Sequence, residues 1–149
     1  LFNWLGPHLQ AAKCLDLFAG SGALGMEALS RGGAHCDFVD ADREAITAVG
    51  RHLNTLDATQ CSTVSCDMAE RYLRQTHGTW DIVFVDPPFD ARLGESSLTQ
   101  LAHSGRLAEA SRVYFETSRS QPEPIPAGLY DVLREKTTGD VCYRLLSPR

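Results

Sequence analysis

Short apolar runs and segments with helical spacing alternate along this chain of 149 residues. An apolar run bounded by turn residues is typical of a buried strand, whereas recurrence every three to four residues is typical of a helix. The runs that we interpret as strands are 13–19, 35–39, 63–66, 82–85 and 112–116. Strands that alternate with helices predict a parallel sheet with helices on both faces.

Helical spacing is clearest in the segment that follows Asp42, a natural N-cap, and this assignment leaves Asp40 free for another role. The apolar face of that predicted helix consists of Ile46, Val49, Leu53 and Leu56. Residues 130–136 and 141–146 alternate well enough to form a closing antiparallel β-hairpin. The predicted fold class is therefore α/β, a Rossmann-like three-layer sandwich whose mostly parallel sheet ends in a C-terminal antiparallel β-hairpin.

Composition narrows the class of protein. The length predicts one domain over 1–149, and the first five residues, which begin with Leu1, resemble the end of a helix whose start is missing. There is no apolar run of eighteen residues and no signal-peptide pattern, so we expect a soluble cytoplasmic protein without a membrane partner. The five cysteines form no Cys-x-x-Cys pair, which favours reduced core thiols and no metal site. A net charge of −5 argues weakly against a general nucleic-acid coat.

Acidic residues follow the first four predicted strands in turn. These residues are Asp16, Asp40, Asp67 and Asp86. Capping is the ordinary role of an aspartate at such a position. Because ligands of open α/β sheets bind outside the carboxyl ends of the strands, four acids in succession predict a site along one rim of the sheet.

The segment Gly20 to Gly25 satisfies the G-x-G-x-x-G pattern, and Asp40 lies twenty residues beyond Gly20, as expected for an acid that binds a ribose. This pattern fits NAD and other adenosine cofactors alike. Asp16 precedes the glycines by four residues and suits a cationic amino and sulfonium centre better than a pyrophosphate, although it could equally cap a backbone turn. Asp67 is placed to accept a hydrogen bond from an adenine amino group, with Met68 against the adenine face.

The stretch Asp86-Pro87-Pro88-Phe89 ends the fourth strand, because paired prolines lack the backbone N–H groups that a central strand needs. A carboxylate held extended by the next proline, with an aromatic ring three residues on, forms a platform for a planar ligand that carries an amino group. The plainer interpretation makes Asp86 a strand terminator and Phe89 a core aromatic.

Asp16 to Gly25 together with Asp86 to Phe89 resembles the class I S-adenosylmethionine-dependent methyltransferases that act on exocyclic amino groups. More specifically, the chain is similar to the bacterial RsmD-type methyltransferases. This similarity rests on three further segments, Leu1 to Leu5, Glu27 to Arg31 and Tyr143 to Leu145. That resemblance implies S-adenosyl-L-methionine as cofactor and the N2 amino group of a guanine in small-subunit (16S) ribosomal RNA as target, in naked RNA or in an assembling 30S particle. Members of the family carry an N-terminal extension that this sequence lacks.

We therefore expect two groups of site residues. The catalytic candidates are Asp86, Pro87 and Phe89. The cofactor-binding candidates are Asp16, Phe18, Gly20, Gly22, Asp40, Asp67 and Met68. The alternatives are methyl transfer to a DNA adenine N6 or a protein glutamine, an NAD-dependent oxidoreductase, and a nucleotide-binding module without catalysis.

Overall fold

A computed structural model of the chain describes residues 2–75, 78–88 and 92–149. The strands are β1 (Lys13–Asp16), β2 (His35–Asp40), β3 (Ser62–Cys66), β4 (Trp80–Val85), β5 (Leu107–Ser118), β6 (Tyr130–Thr138) and β7 (Val141–Pro148). The α-helices are α1 (Phe2–Leu5), α2 (Ala23–Ser30), α3 (Arg43–Thr55), α4 (Ala69–Gln75) and α5 (Gly94–His103), and short 3-10 helices cover Gly6–Leu9 and Thr59–Cys61.

The strands form one sheet in the order β3-β2-β1-β4-β5-β7-β6. Strands β1 to β5 pair in parallel, and β7 pairs antiparallel with both β5 and β6. The chain runs outward from β1 to β3 and then returns to place β4 on the other side of β1. This reversal puts a topological switch point between β1 and β4. Sheets of this kind have a crevice for ligands at such a point.

Two apolar cores cover the two faces of the sheet. The core on one face joins Ala28 of α2 and Leu53 of α3 to Phe38 and Phe84 of the sheet. The core on the opposite face packs Leu73 of α4 and the buried leucines of α5 against β1, β4 and β5. Helices therefore lie on both sides of a mostly parallel sheet, and the predicted three-layer fold class is confirmed.

Three details differ from the sequence-based expectations. Leu56 is 62% exposed, because α3 ends at Thr55 and the predicted apolar face stops at Leu53. Strand β1 ends at Asp16 rather than continuing through residue 19, since the chain turns there toward the glycine segment. Strand β5 is longer than the predicted 112–116 and pairs with β4 through an irregularity in register.

All five cysteines are free, as expected, and Cys14, Cys36 and Cys142 are buried, whereas Cys61 and Cys66 are only partly buried and lie outside the core. In the described ranges, none of the helices has both the length and the apolar character needed to cross a membrane. The same residues contain no group of three or more His, Cys, Asp or Glu side chains that could hold a metal ion.

Gly25 lets α2 pack directly on β2. A Cβ atom at this position would lie 2.4 Å from Cε1 of Phe38 and 2.7 Å from Sγ of Cys36, both fully buried in the sheet. Such distances are shorter than van der Waals contact allows, so a side chain here would push the helix off the sheet.

Gly25→Ala should therefore lower the free energy of unfolding by about 1–3 kcal/mol, the usual cost of overpacking a core. Urea denaturation measures the change. Gly50→Ala is the matched control, because Gly50 lies within α3 and a Cβ there meets nothing within 4 Å. That variant should be neutral or stabilised by up to about 1 kcal/mol, and equal losses in both variants would contradict the packing argument.

Candidate active site

The acidic residues that follow β1 to β4 all lie at the carboxyl edge of the sheet. The ends of β2 and β3 are joined directly, because the backbone N–H of Asp67 donates to the backbone oxygen of Asp40 at 3.0 Å. Asp16 ends β1, and Asp86 follows β4 immediately. The structure thus places the four acids along one rim.

Asp40 also holds the glycine segment in place. Its Oδ2 accepts the backbone N–H of Gly20 at 2.8 Å, and its Oδ1 accepts that of Asp42 at 2.8 Å. Asp42 caps α3 as predicted, by accepting the N–H of Glu44 at 2.9 Å. Asp40 is therefore free for another role, as expected, and both of its oxygens accept backbone N–H groups. A carboxylate offers about four lone-pair positions, so further donors can still bind to it.

Asp16 is 1% exposed and holds the glycine segment through a hydrogen bond. Its Oδ2 accepts the backbone N–H of Gly25 at 3.0 Å, which is the turn-capping role considered as an alternative from the sequence. The pKa of Asp16 is raised to about 7, chiefly by burial; the hydrogen bond from the Gly25 N–H lowers it, and the nearby charge of Asp40 raises it. Gly20 and Gly22 adopt positive φ angles of 55° and 80°, a conformation that glycine reaches without strain.

A first cavity of about 410 Å³, which we call the α5 cavity, lies over the ends of β2 and β3. Asp40, Asp67 and Met68 border it together with Phe18, which follows β1. The opposite wall is formed by Pro88, by Leu93 just before α5, and by three residues of α5. These three residues are Ser96, Ser97 and Gln100. The sequence analysis did not predict this wall, because α5 lies far from the glycine segment along the chain and carries no recognisable motif.

A second cavity of about 440 Å³, the Pro-Pro cavity, adjoins the first, since Phe18, Asp40 and Pro88 border both. The residues that border only the second are Ala19, Gly20, Ser21, Asp86, Pro87 and Glu116. Gly22 lies at the start of α2, where it is buried. Among the described residues, Asp16 lies beneath these cavities rather than in their walls. Phe89 lies outside the described residues.

Asp86 and Glu116 both border the Pro-Pro cavity. Burial, followed by the charge and the hydrogen bond of Glu116, raises the pKa of Asp86 to about 8. The hydroxyl of Tyr114 donates to Oε1 of Glu116 at 2.5 Å. Glu116 was not among the predicted site residues, although a predicted strand ended on it and the rule that identified the other strand-end acids applied equally.

The architecture and the paired cavities at the switch point, together with the family and the relative described in the next paragraph, define the class of protein, an S-adenosylmethionine-dependent methyltransferase. The same fold occurs in a ribosomal protein L11 methylase from Lactobacillus delbrueckii subsp. bulgaricus, with a TM-score of 0.77 and 19% identity over 93% of this chain and 70% of that one.

The chain belongs to the family described as conserved hypothetical protein 95, whose model matches residues 1–147. It is 41% identical to ribosomal RNA small subunit methyltransferase D of Escherichia coli (strain K12), over 97% of this chain and 73% of that protein. It also superimposes on a conserved hypothetical protein of Streptococcus pyogenes with a TM-score of 0.91 and 30% identity, covering 99% of this chain and 92% of that one. Family membership favours methyl transfer over the oxidoreductase alternative.

The raised pKa of Asp86 predicts a specific dependence of stability on pH. The folded state keeps this proton up to about pH 8, whereas the unfolded chain loses it near 3.8, its ordinary value. The stabilising contribution is therefore complete below about pH 4 and is lost as pH rises through about 8. Glu116 and Asp16 are the charged groups that face it. Asp86→Asn removes this titration. The melting temperature of the variant, relative to that of the unsubstituted protein, should therefore rise between pH 5 and pH 8.5.

Differential scanning fluorimetry across that range measures the effect. Asp131→Asn is the control, because Asp131 is an exposed residue of β6 that pairs with Arg149 far from the cavities. Its melting curve should follow that of the unsubstituted protein at every pH. A constant difference between Asp86→Asn and the unsubstituted protein would contradict the assigned pKa.

Proposed function

We propose that this protein transfers a methyl group from S-adenosylmethionine to the N2 amino group of a guanine in small-subunit ribosomal RNA. The main support is the position of Asp86 and Pro87 in the Pro-Pro cavity, which shares a wall with the α5 cavity. The similarity to ribosomal RNA small subunit methyltransferase D of E. coli supports the RNA substrate. The choice of guanine N2 is supported by the resemblance of the Asp86 to Phe89 motif and its flanking phrases to the RsmD-type enzymes.

The lining of the two cavities fits this cofactor. Bound S-adenosylmethionine supplies an electrophilic methyl group on a positively charged sulfur. Its adenosine carries hydroxyl and amino donors, and the α5 cavity offers the carboxylates of Asp40 and Asp67 between apolar side chains. We assign the ribose hydroxyls to Asp40 and the adenine amino group to Asp67, with Phe18 and Met68 against the ring.

The glycine segment would hold the methionyl part of the cofactor. Gly20 borders the Pro-Pro cavity, and its positive φ keeps the backbone within close reach of a ligand. Gly22 opens α2 and shapes the same turn. Asp16 acts indirectly in this scheme, because its hydrogen bond to Gly25 fixes the turn from inside the sheet. The acidic side chain that borders the Pro-Pro cavity is then Asp86 rather than Asp16.

The target guanine must leave its base stack, because a methyl transfer in line with the sulfur requires the amino nitrogen to face it. Asp86 and the carbonyl oxygen of Pro87 would accept the two N–H bonds of the amino group, which leaves the nitrogen lone pair directed at the methyl group. As the N–C bond forms, the bond between sulfur and the methyl carbon would break, S-adenosylhomocysteine would leave, and the cationic nitrogen would release one proton to solvent. Positioning of this kind supplies much of the catalysis. Phe89, the remaining predicted member of the platform, is assigned to stacking on the base.

Incubation with radiolabelled S-adenosylmethionine and separated RNA, DNA and protein tests the proposal. We expect label in small-subunit RNA, as N2-methylguanine after digestion. Asp86→Ala should lower kcat by at least about 10- to 100-fold, because a hydrogen bond to a charged group contributes about 1.5–3 kcal/mol, while S-adenosylhomocysteine affinity stays unchanged. Label in DNA adenine or protein glutamine would favour the alternative targets, and unchanged turnover would remove Asp86 from the reaction.

Asp40 should instead affect binding of the cofactor. Asp40→Ala removes a proposed ribose ligand and releases the N–H of Gly20, so the Kd for S-adenosylhomocysteine should rise at least about 10-fold by calorimetry. Asp42→Ala is the neighbouring control: it loses the cap of α3, at a cost of about 1 kcal/mol in stability, and should leave that Kd unchanged. An unchanged Kd in Asp40→Ala would exclude Asp40 from the cofactor pocket.

A further inference from the structure

We infer that Glu116 is a specificity-determining residue, which accepts the N1–H group of the target guanine while Asp86 accepts its amino group. This inference rests on the proposed function and adds to it a second contact on the base. It explains how the site would distinguish guanine from a purine whose N1 atom is an acceptor.

The sheet itself brings the two carboxyl groups together. Strands β4 and β5 are parallel neighbours, and Val85 pairs in register with Phe115. The next residue on each strand is acidic, so Asp86 and Glu116 emerge side by side at the same rim. Both border the Pro-Pro cavity.

Aromatic packing fixes the direction of the Glu116 side chain. The Tyr114 hydroxyl holds Oε1 of Glu116 at 2.5 Å. The Tyr114 ring lies between those of Phe84 and Tyr143, with centroid distances of 6.2 and 6.3 Å. Because Tyr114 is only 4% exposed, its ring provides a rigid support for the carboxylate. Glu116 is therefore held as a preformed acceptor at the cavity wall.

The fold gains nothing evident from this pair. Two adjacent carboxyl groups oppose each other's ionisation, and burial adds to the cost. Within the ranges that the structure describes, neither residue forms an ion pair with an arginine or lysine. Acidic groups that are kept close together in a cleft without a cation are typical of functional sites. A donor from outside the chain would complete the arrangement.

Guanine offers the matching set of donors. Its N1–H and N2 amino groups are adjacent on one edge, and a flipped base is recognised through that edge. The carbonyl oxygen of the Asp86 carboxyl group, which is protonated below about pH 8, and the neighbouring Glu116 carboxylate can therefore accept both groups at once. In adenine and 2-aminopurine, N1 instead carries a lone pair, which faces a carboxylate unfavourably. The pair Asp86 and Glu116 thus selects a purine with two adjacent donors.

The test compares two RNAs that differ only at the methylated position, which carries guanine in one and 2-aminopurine in the other. 2-Aminopurine keeps the reacting amino group but has an acceptor at N1. The unsubstituted protein should prefer guanine by about 10- to 100-fold in kcat/KM, within the range of one good base contact. In Glu116→Gln the amide can donate to N1 of 2-aminopurine, so the preference should shrink by at least 10-fold.

Glu135→Gln is the control, since Glu135 lies on β6, pairs with Arg144 and does not border the described cavities. It should keep the original preference. A thermal shift with S-adenosylhomocysteine shows that each variant is folded and binds the cofactor. An unaltered preference in Glu116→Gln overturns the role of Glu116. Absence of guanine methylation by the unsubstituted protein overturns the proposed function, and with it this inference.

Discussion

Acceptance of backbone N–H groups by the carboxyl groups of Asp16 and Asp40 is the interaction on which the site depends. Asp16 holds the N–H of Gly25 from within β1, and Asp40 holds that of Gly20 from the end of β2. The glycine segment is thus fixed at two points while its open side borders the Pro-Pro cavity. Because Asp40 both holds the loop and borders the two cavities, the cofactor site is largely preformed by the sheet.

The positions of the strand-end acids could be predicted because parallel strands place their carboxyl ends on one edge regardless of their distance in sequence. The periodicity of apolar residues likewise gave the alternation of strands and helices, and the apolar face of α3 up to Leu53. What such reasoning cannot supply is the orientation of each side chain. Asp16 points into the loop and is buried, whereas Asp67 borders the α5 cavity, although both end a strand.

Two parts of the site escaped prediction for different reasons. The wall from α5 depends on how that helix docks on β4 and β5, a packing outcome that no local motif records. Glu116 carried the same signal as the other acids but follows an aromatic pair within a strand that extends past it to Ser118. Its association with Asp86 arises only from the register of β4 with β5.

The placement of β7 between β5 and β6 has a consequence for biosynthesis. This strand is made after β5 and β6, yet it separates them in the finished sheet. Until Val141–Pro148 has left the ribosome, the edge of β5 is an unpaired row of hydrogen-bonding groups beside an incomplete core that lacks Leu145 and Leu146. Such an edge is a template for aggregation, so nascent chains that stall before β7 are natural clients for chaperones.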